Sequence, residues 1–193
     1  KTKHKIISLS TCTGNAAAPF LKIVDEELGI QNGFLTTIHP VLSSEKSLDG
    51  PNKLPQLGRA SKNVKLIDTA ISKSVIEVLP NLSGKLSNES MSYRIPTDIV
   101  SSVYGVLKIK KKINKDKFLD ILNKKTNPRI LGICYGSFEK EMVSLDYIKD
   151  SRSSILSSFR TAIHDDLLSF HLWHDNEYGY SKRIYDAILS LSK

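Results

Sequence analysis

Cysteine is scarce in this sequence: 193 residues hold two, Cys12 and Cys134. They show no paired spacing, so a disulfide framework or a cysteine-based zinc site is not expected, and a reducing, cytoplasmic compartment is. Long apolar runs are missing too. None approaches the roughly 20 residues of a membrane span, and the opening KTKHKIISLS has no extended apolar segment of the secretory kind. The sequence therefore predicts a soluble protein with no membrane partner. Aromatic residues make up 7% of the chain, and none interrupts its most basic stretch, KIKKKINKDK at residues 108–117. A stacking platform for single-stranded nucleic acid is absent there. The formal charge of +8, from 28 Lys+Arg against 20 Asp+Glu, then reads as a solvated face rather than a nucleic-acid surface.

What is present is ordinary globular composition, 40% hydrophobic and 25% charged, enough for one core and one domain. A strand-like run at residues 4–9 leads to a helix from Cys12, with Ala16, Ala17, Phe20, Leu21, Val24 and Leu28 at helical spacing and Gly29 as its stop. Pro19 lies inside that helix and predicts a bend or a later start. A buried strand ends at His39, and residues 41–63 have the Gly, Pro, Ser and Asn density of a long surface loop. Helices are predicted over 70–79, 114–125 and 177–192, the last with Ile184, Ile188 and Leu189 inward. Strands are predicted in ESMSYRIP, IVSSVYGVLKI, RILGICYG and LLSFHLWHD. Strands following strands, with helices between some, give an α+β domain: a mostly antiparallel or mixed sheet covered by helices on one face.

Cys12 stands where the first helix begins. Unpaired amides and the positive dipole end there would lower a thiol's pKa and favour a nucleophilic thiolate; a small packed residue is the alternative. His39, at a strand end, could activate such a thiol or simply be a satisfied core histidine. Thr11, Thr13, Gly14 and the helix amides would receive a phosphate or an oxyanion, while Thr11 alone is also a plain N-cap. Arg94 in YRIPT suits phosphate or a surface ion pair. Cys134, in the apolar run ILGICYG, reads as core.

Four segments, STCTGN, TTIH, YRIPT and WHDNEYGYS, fall in the order and approximate spacing of motifs in the glyceraldehyde-3-phosphate dehydrogenase family: S-C-T-T-N-C, T-T-x-H, R-V-P-T and W-Y-D-N-E-x-G-Y. The chain resembles the catalytic, C-terminal domain of that family over essentially its whole length. The resemblance implies an NAD-dependent oxidation of a phosphorylated sugar aldehyde coupled to inorganic phosphate, in a homotetramer whose contacts include the sheet and residues 40–63. It assigns Cys12 as the nucleophile that forms a thiohemiacetal and then a thioester, and His39 as its base. Thr11, Thr13, Thr69, Ala70 and Arg94 become substrate- and phosphate-binding residues, and Asn176 with Tyr180 would meet the nicotinamide of NAD.

Departures from the family pattern bear on the substrate. Leu42 stands where a threonine usually meets the substrate phosphate, and leucine offers no side-chain hydrogen bond. Ala70 replaces a glycine. Asp68-Thr69 resembles the pair carried by erythrose-4-phosphate dehydrogenases, so erythrose 4-phosphate is the second candidate after glyceraldehyde 3-phosphate. A catalytically retired binding module is the third. The Gly-rich strand-turn-helix fingerprint of a dinucleotide site is absent, and Gly136 does not supply it. Residues 1–193 are therefore expected to be the catalytic domain of a longer dehydrogenase, inactive alone and a poor binder of NAD.

Overall fold

Thr11 sets the start of helix α1 (Cys12–Leu28): its backbone is extended, at φ −115° and ψ 158°, and its Oγ1 accepts from the Gly14 amide at 3.0 Å. That satisfies one of the first-turn donors a helix leaves unpaired. At the other end Gly29 takes φ 70°, and its amide donates to Asp25 O, a conformation that costs glycine little. The helix runs on through Pro19 without starting late. A proline in a helix interior costs about 3 kcal/mol. Against that stand the fully buried side chains of Phe20, Leu21 and Val24, each contributing roughly 1.5–3 kcal/mol, so packing wins.

The computed structural model describes residues 6–135 and 142–192. After α1 come β1 (Ile30–Pro40), β2 (Lys65–Asp68), α2 (Ile71–Val78), β3 (Met91–Ile95), β4 (Ser101–Ile109) and α3 (Lys115–Lys125). The chain then forms β5 (Leu131–Cys134), β6 (Ser154–Ser157), β7 (Ala162–His164), β8 (Leu167–His174) and α4 (Tyr178–Leu191). The strands build one mixed sheet in the order β2-β3-β1-β4-β8-β6-β5, with β7 beside β8. β1 with β3 and β5 with β6 are parallel, and the other pairings are antiparallel. This is the expected α+β fold. Three short strands, β2, β6 and β7, carry too few residues for alternation to reveal them.

One face of the sheet is covered. Phe20 of α1 meets Phe118 of α3 edge-on at 6.2 Å between centroids and Phe170 of β8 at 4.5 Å. Leu35, Val75, Leu107 and Leu172 join the same core. Gly14 lets α1 and α2 approach closely, since a Cβ there would lie 2.7 Å from Ser74 Cβ. The opposite face is bare around β1 to β4 among the described residues, where Phe34, Leu66, Tyr93 and Tyr104 are exposed, Phe34 by 65%; at β8 Tyr147 covers Trp173.

Two expectations are corrected. Residues 6–10 form no strand: none of the described strands pairs with them, and Ser10 takes φ 63° as the chain turns into Thr11; His4 and Lys5 lie outside the described residues, as does Gly136. In α4, Ile184, Ile188 and Leu189 point outward, Ile188 by 59%. The covered face of the sheet is already filled by α1, α2 and α3. Helix α4 is held instead at its first turns, where the Tyr180 hydroxyl donates to Ser10 O at 3.2 Å and Arg183 donates to Ser151 O at 3.3 Å. Its apolar stripe is left uncovered.

Candidate active site

Strand register places polar side chains in a row on the covered face, near one end of the sheet. Lys65 of β2 is paired with Arg94 of β3, and Arg94 with His39 of β1. Ser101 of β4 follows, one step past the Ile38–Ser102 pair, and is itself paired with His174 of β8. Directly paired residues on neighbouring strands share a face, so five strands contribute one residue each. All but Arg94 are buried. Helix α1 begins over this row, which brings Cys12 Sγ to 3.9 Å from His39 Nε2.

His39 Nδ1 lies 2.8 Å from Pro40 O. A carbonyl only accepts, so Nδ1 carries the proton and Nε2 turns its lone pair to the thiol. This is the arrangement of a general base beside a nucleophile. The resting charge state differs from the sequence expectation. Burial pushes the Cys12 thiol above its ordinary range, outweighing the amide hydrogen bonds of the helix start and the Arg94 charge, which pull it down. Burial likewise lowers His39, with Arg94 adding to the fall and Pro40 O and Glu45 opposing it. Both shifts favour uncharged forms, so a neutral thiol facing a neutral imidazole rests here rather than a thiolate–imidazolium pair.

Thr11 Oγ1 lies 3.2 Å from Thr13 Oγ1 and 3.3 Å from Ser74 Oγ, so the threonines flanking Cys12 are tied to each other and to α2. Asn176 Oδ1 accepts from Ser101 Oγ at 3.2 Å, which brings the start of α4 to the same row. Tyr180 reaches the backbone just ahead of Cys12 through Ser10 O. The intervening Asp175 is structural: its Oδ1 accepts from the Glu177 and Tyr178 amides and its Oδ2 from the Lys149 amide. Thr69 and Ala70 stand apart from this cluster. They line a cavity of about 470 Å³ with Lys73 and Asn88, whose walls include none of Cys12, His39 and Arg94. Cys134 is half-buried and packs against a small second cluster around Ile155.

Sequence reading missed Glu45, Lys65, Ser101 and His174. Lys65 and Glu45 form a buried ion pair, and Glu45 also faces Arg94. His174 is pushed down to about 3 by burial, with His39 adding to the fall, and stays neutral. Lys65, Ser101 and His174 share one end of the sheet, which depends on register, and Glu45 joins them from the loop after β1.

The chain matches the family described as "Glyceraldehyde 3-phosphate dehydrogenase, C-terminal domain" over residues 11–176. It is 35% identical over 196 residues to the cytosolic glyceraldehyde-3-phosphate dehydrogenase of Sinapis alba, covering 100% of this chain and 57% of that protein. It is 36% identical over 196 residues to the cytosolic enzyme of Pisum sativum, with the same coverage. To that of Taxus baccata it is 36% identical over 194 residues, covering 99% of this chain and 56% of the relative. The chain thus spans little more than half the length of these relatives.

Proposed function

Since the chain belongs to the glyceraldehyde-3-phosphate dehydrogenase family, through its C-terminal domain, we propose that it is the catalytic domain of a longer NAD-dependent phosphorylating aldehyde dehydrogenase, oxidising glyceraldehyde 3-phosphate to 1,3-bisphosphoglycerate. The observation that carries this reading is Cys12 Sγ facing the unprotonated Nε2 of His39 at 3.9 Å.

Cys12 sulfur attacks the aldehyde carbon as His39 Nε2 takes the thiol proton and passes it to the aldehyde oxygen, giving a thiohemiacetal and a neutral imidazole. His39 then takes the hydroxyl proton as the carbon gives up hydride, and a thioester to Cys12 remains. A bound nicotinamide supplies the hydride acceptor. Inorganic phosphate attacks the thioester carbon, releasing the acyl phosphate and the Cys12 thiolate, which is reprotonated. Amides at the start of α1, with Thr11 and Thr13, are suited to the developing oxyanion and to phosphate. Arg94 provides the guanidinium for an anionic substrate end, and Thr69 and Ala70 a further anion subsite. Asn176 fits a nicotinamide carboxamide: Ser101 occupies its Oδ1, and its amide N–H group remains to donate. One amide and the nearby Tyr180 do not make a dinucleotide site, so most of the affinity for NAD comes from sequence beyond this chain.

Erythrose 4-phosphate is the second reading. Leu42 favours it, being 43% exposed and offering an anion only a backbone amide, which Glu45 Oε1 already takes at 3.3 Å. The bare sheet face, with residues 40–63, meets other subunits of a homotetramer. The apolar stripe of α4 is covered by the rest of the longer protein. A cytoplasmic address agrees with the cytosolic relatives, and among the described residues no helix is long and apolar enough to cross a membrane. The decisive experiment is NADH formation by the full-length protein with phosphate and each sugar in turn. Turnover with one sugar, abolished in Cys12→Ser, is expected. No turnover with either defeats the enzymatic reading in favour of a binding module.

A further inference from the structure

Arg94 does not meet an incoming anion alone. The Glu45 side chain, 5% exposed, lies with Oε1 3.5 Å from Arg94 Nε. Its Oε2 lies 2.5 Å from Nζ of Lys65, which is 2% exposed. Oε1 also accepts from the Leu42 amide, and the Glu45 amide closes the turn onto Leu42 O at 2.8 Å. The carboxylate is thus fixed from three sides. The Arg94 guanidinium is not saturated by it: among the described residues Nε and Nη1 have no hydrogen-bond partner and are buried, and 3.5 Å at Nε is an ion-pair distance rather than a good hydrogen bond. An anion approaching those donors meets the guanidinium and, beside it, a buried negative charge with little water to screen it. Lys65 balances Glu45 from its far oxygen, which lets the carboxylate stay ionised while buried.

We propose that Glu45 is a specificity-determining residue: its carboxylate competes with an incoming anion for Arg94 and weakens the site's preference for a phosphorylated over an uncharged aldehyde. This deepens the proposed function and rests on Cys12 being the aldehyde nucleophile next to Arg94. Leu42 acts in the same direction, since its amide is spent on Glu45 and its side chain donates nothing to phosphate.

The test uses the full-length protein and the double variant Glu45→Gln, Lys65→Met. Removing the pair together avoids leaving Lys65 buried without its partner, and Arg94 is left for the incoming anion. The readout is the ratio of kcat/KM for glyceraldehyde 3-phosphate to that for glyceraldehyde. It is expected to rise about two- to fivefold in the double variant, less than one nearby charge alone would give, because the more distant Lys65 cation is lost with the carboxylate. The rise should come through KM of the phosphorylated substrate, while Glu45→Asp, which keeps the charge, holds the ratio close to wild type. A purely structural role would change both aldehydes alike and leave the ratio fixed. An unchanged or lower ratio overturns the proposal. If neither form turns over any aldehyde, the proposed function has failed, and a second readout still decides about Glu45. Inorganic phosphate should protect Cys12 from iodoacetamide, at a half-protecting concentration about two- to fivefold lower in the double variant. Equal protection in both forms, or none in either, overturns the inference.

Discussion

Acidification should destabilise this chain through one residue the proposed chemistry does not use. His174 is completely buried behind the site, and its pKa lies at about 3, against about 6.5 for a histidine in an unfolded chain. A lowered folded value means that, between these two, the unfolded chain binds a proton the folded one cannot. Stability is then full above about pH 6.5 and falls as pH drops. Between about pH 8 and about pH 5 the linkage amounts to about 2 kcal/mol for this residue alone. The figure is insensitive to the folded value, because pH 5 still lies above it. His39, also lowered, adds in the same direction. The assay is urea unfolding of the 193-residue chain at the two pH values. Trp173, the chain's one tryptophan, is stacked on Tyr147 at 5.5 Å and reports unfolding by fluorescence. His174→Gln should remove about 2 kcal/mol of the pH dependence, whatever it does to stability at pH 8. Identical pH dependence in wild type and variant would refute the reasoning.

Three other outcomes follow from the same geometry. In a Cys134→Ser background, alkylation of Cys12 by iodoacetamide at about pH 7.4 should be slower than for a free thiol, which is about 7% ionised there. Its rate should keep rising beyond about pH 8.5, and a midpoint below about 8 would show a resting ion pair instead. Gly14→Ala drives a Cβ against Ser74 and should cost about 1–3 kcal/mol in urea unfolding; a neutral result would show that α1 and α2 separate freely. Phe34→Asp on the bare face should change the chain's own stability by less than about 0.5 kcal/mol yet reduce the full-length protein to smaller species in light scattering. An unchanged assembly would remove that face from the subunit contacts.

Much of this could be read from the sequence, and the parts that could not have a common cause. The start of α1 was legible because a cap, a helical apolar period and a stopping glycine are local signals, all within residues 11–29. The strands carrying His39 and Arg94 were legible for similar reasons. Helix α4 was legible as a helix but not in its orientation, since periodicity marks an apolar face without saying what covers it. The thiol's resting state went wrong because helix position is local, while the burial that outweighs it comes from neighbouring strands. Lys65 and Glu45 look solvated in a loop-rich stretch; the β2–β3 register sets Lys65 beside Arg94, and the loop after β1 folds back to bring Glu45 to both. Burial of a charge depends on its partner, and the partner is remote in the chain.

The polar row has a consequence for the order in which the site comes into being. Cys12 and His39 belong to one short segment and can meet as soon as α1 lies on β1. His174 and Asn176 arrive only with the last strand and the start of the last helix, after β4 has given β8 an edge to join. A chain emerging N-terminus first therefore carries its thiol and imidazole through most of synthesis without the far end of the row. Closure of β8 onto β4 completes the polar row and, through Ser101, brings Asn176 to it, so the pair that starts the chemistry and the residue suited to the nicotinamide are assembled at opposite ends of synthesis.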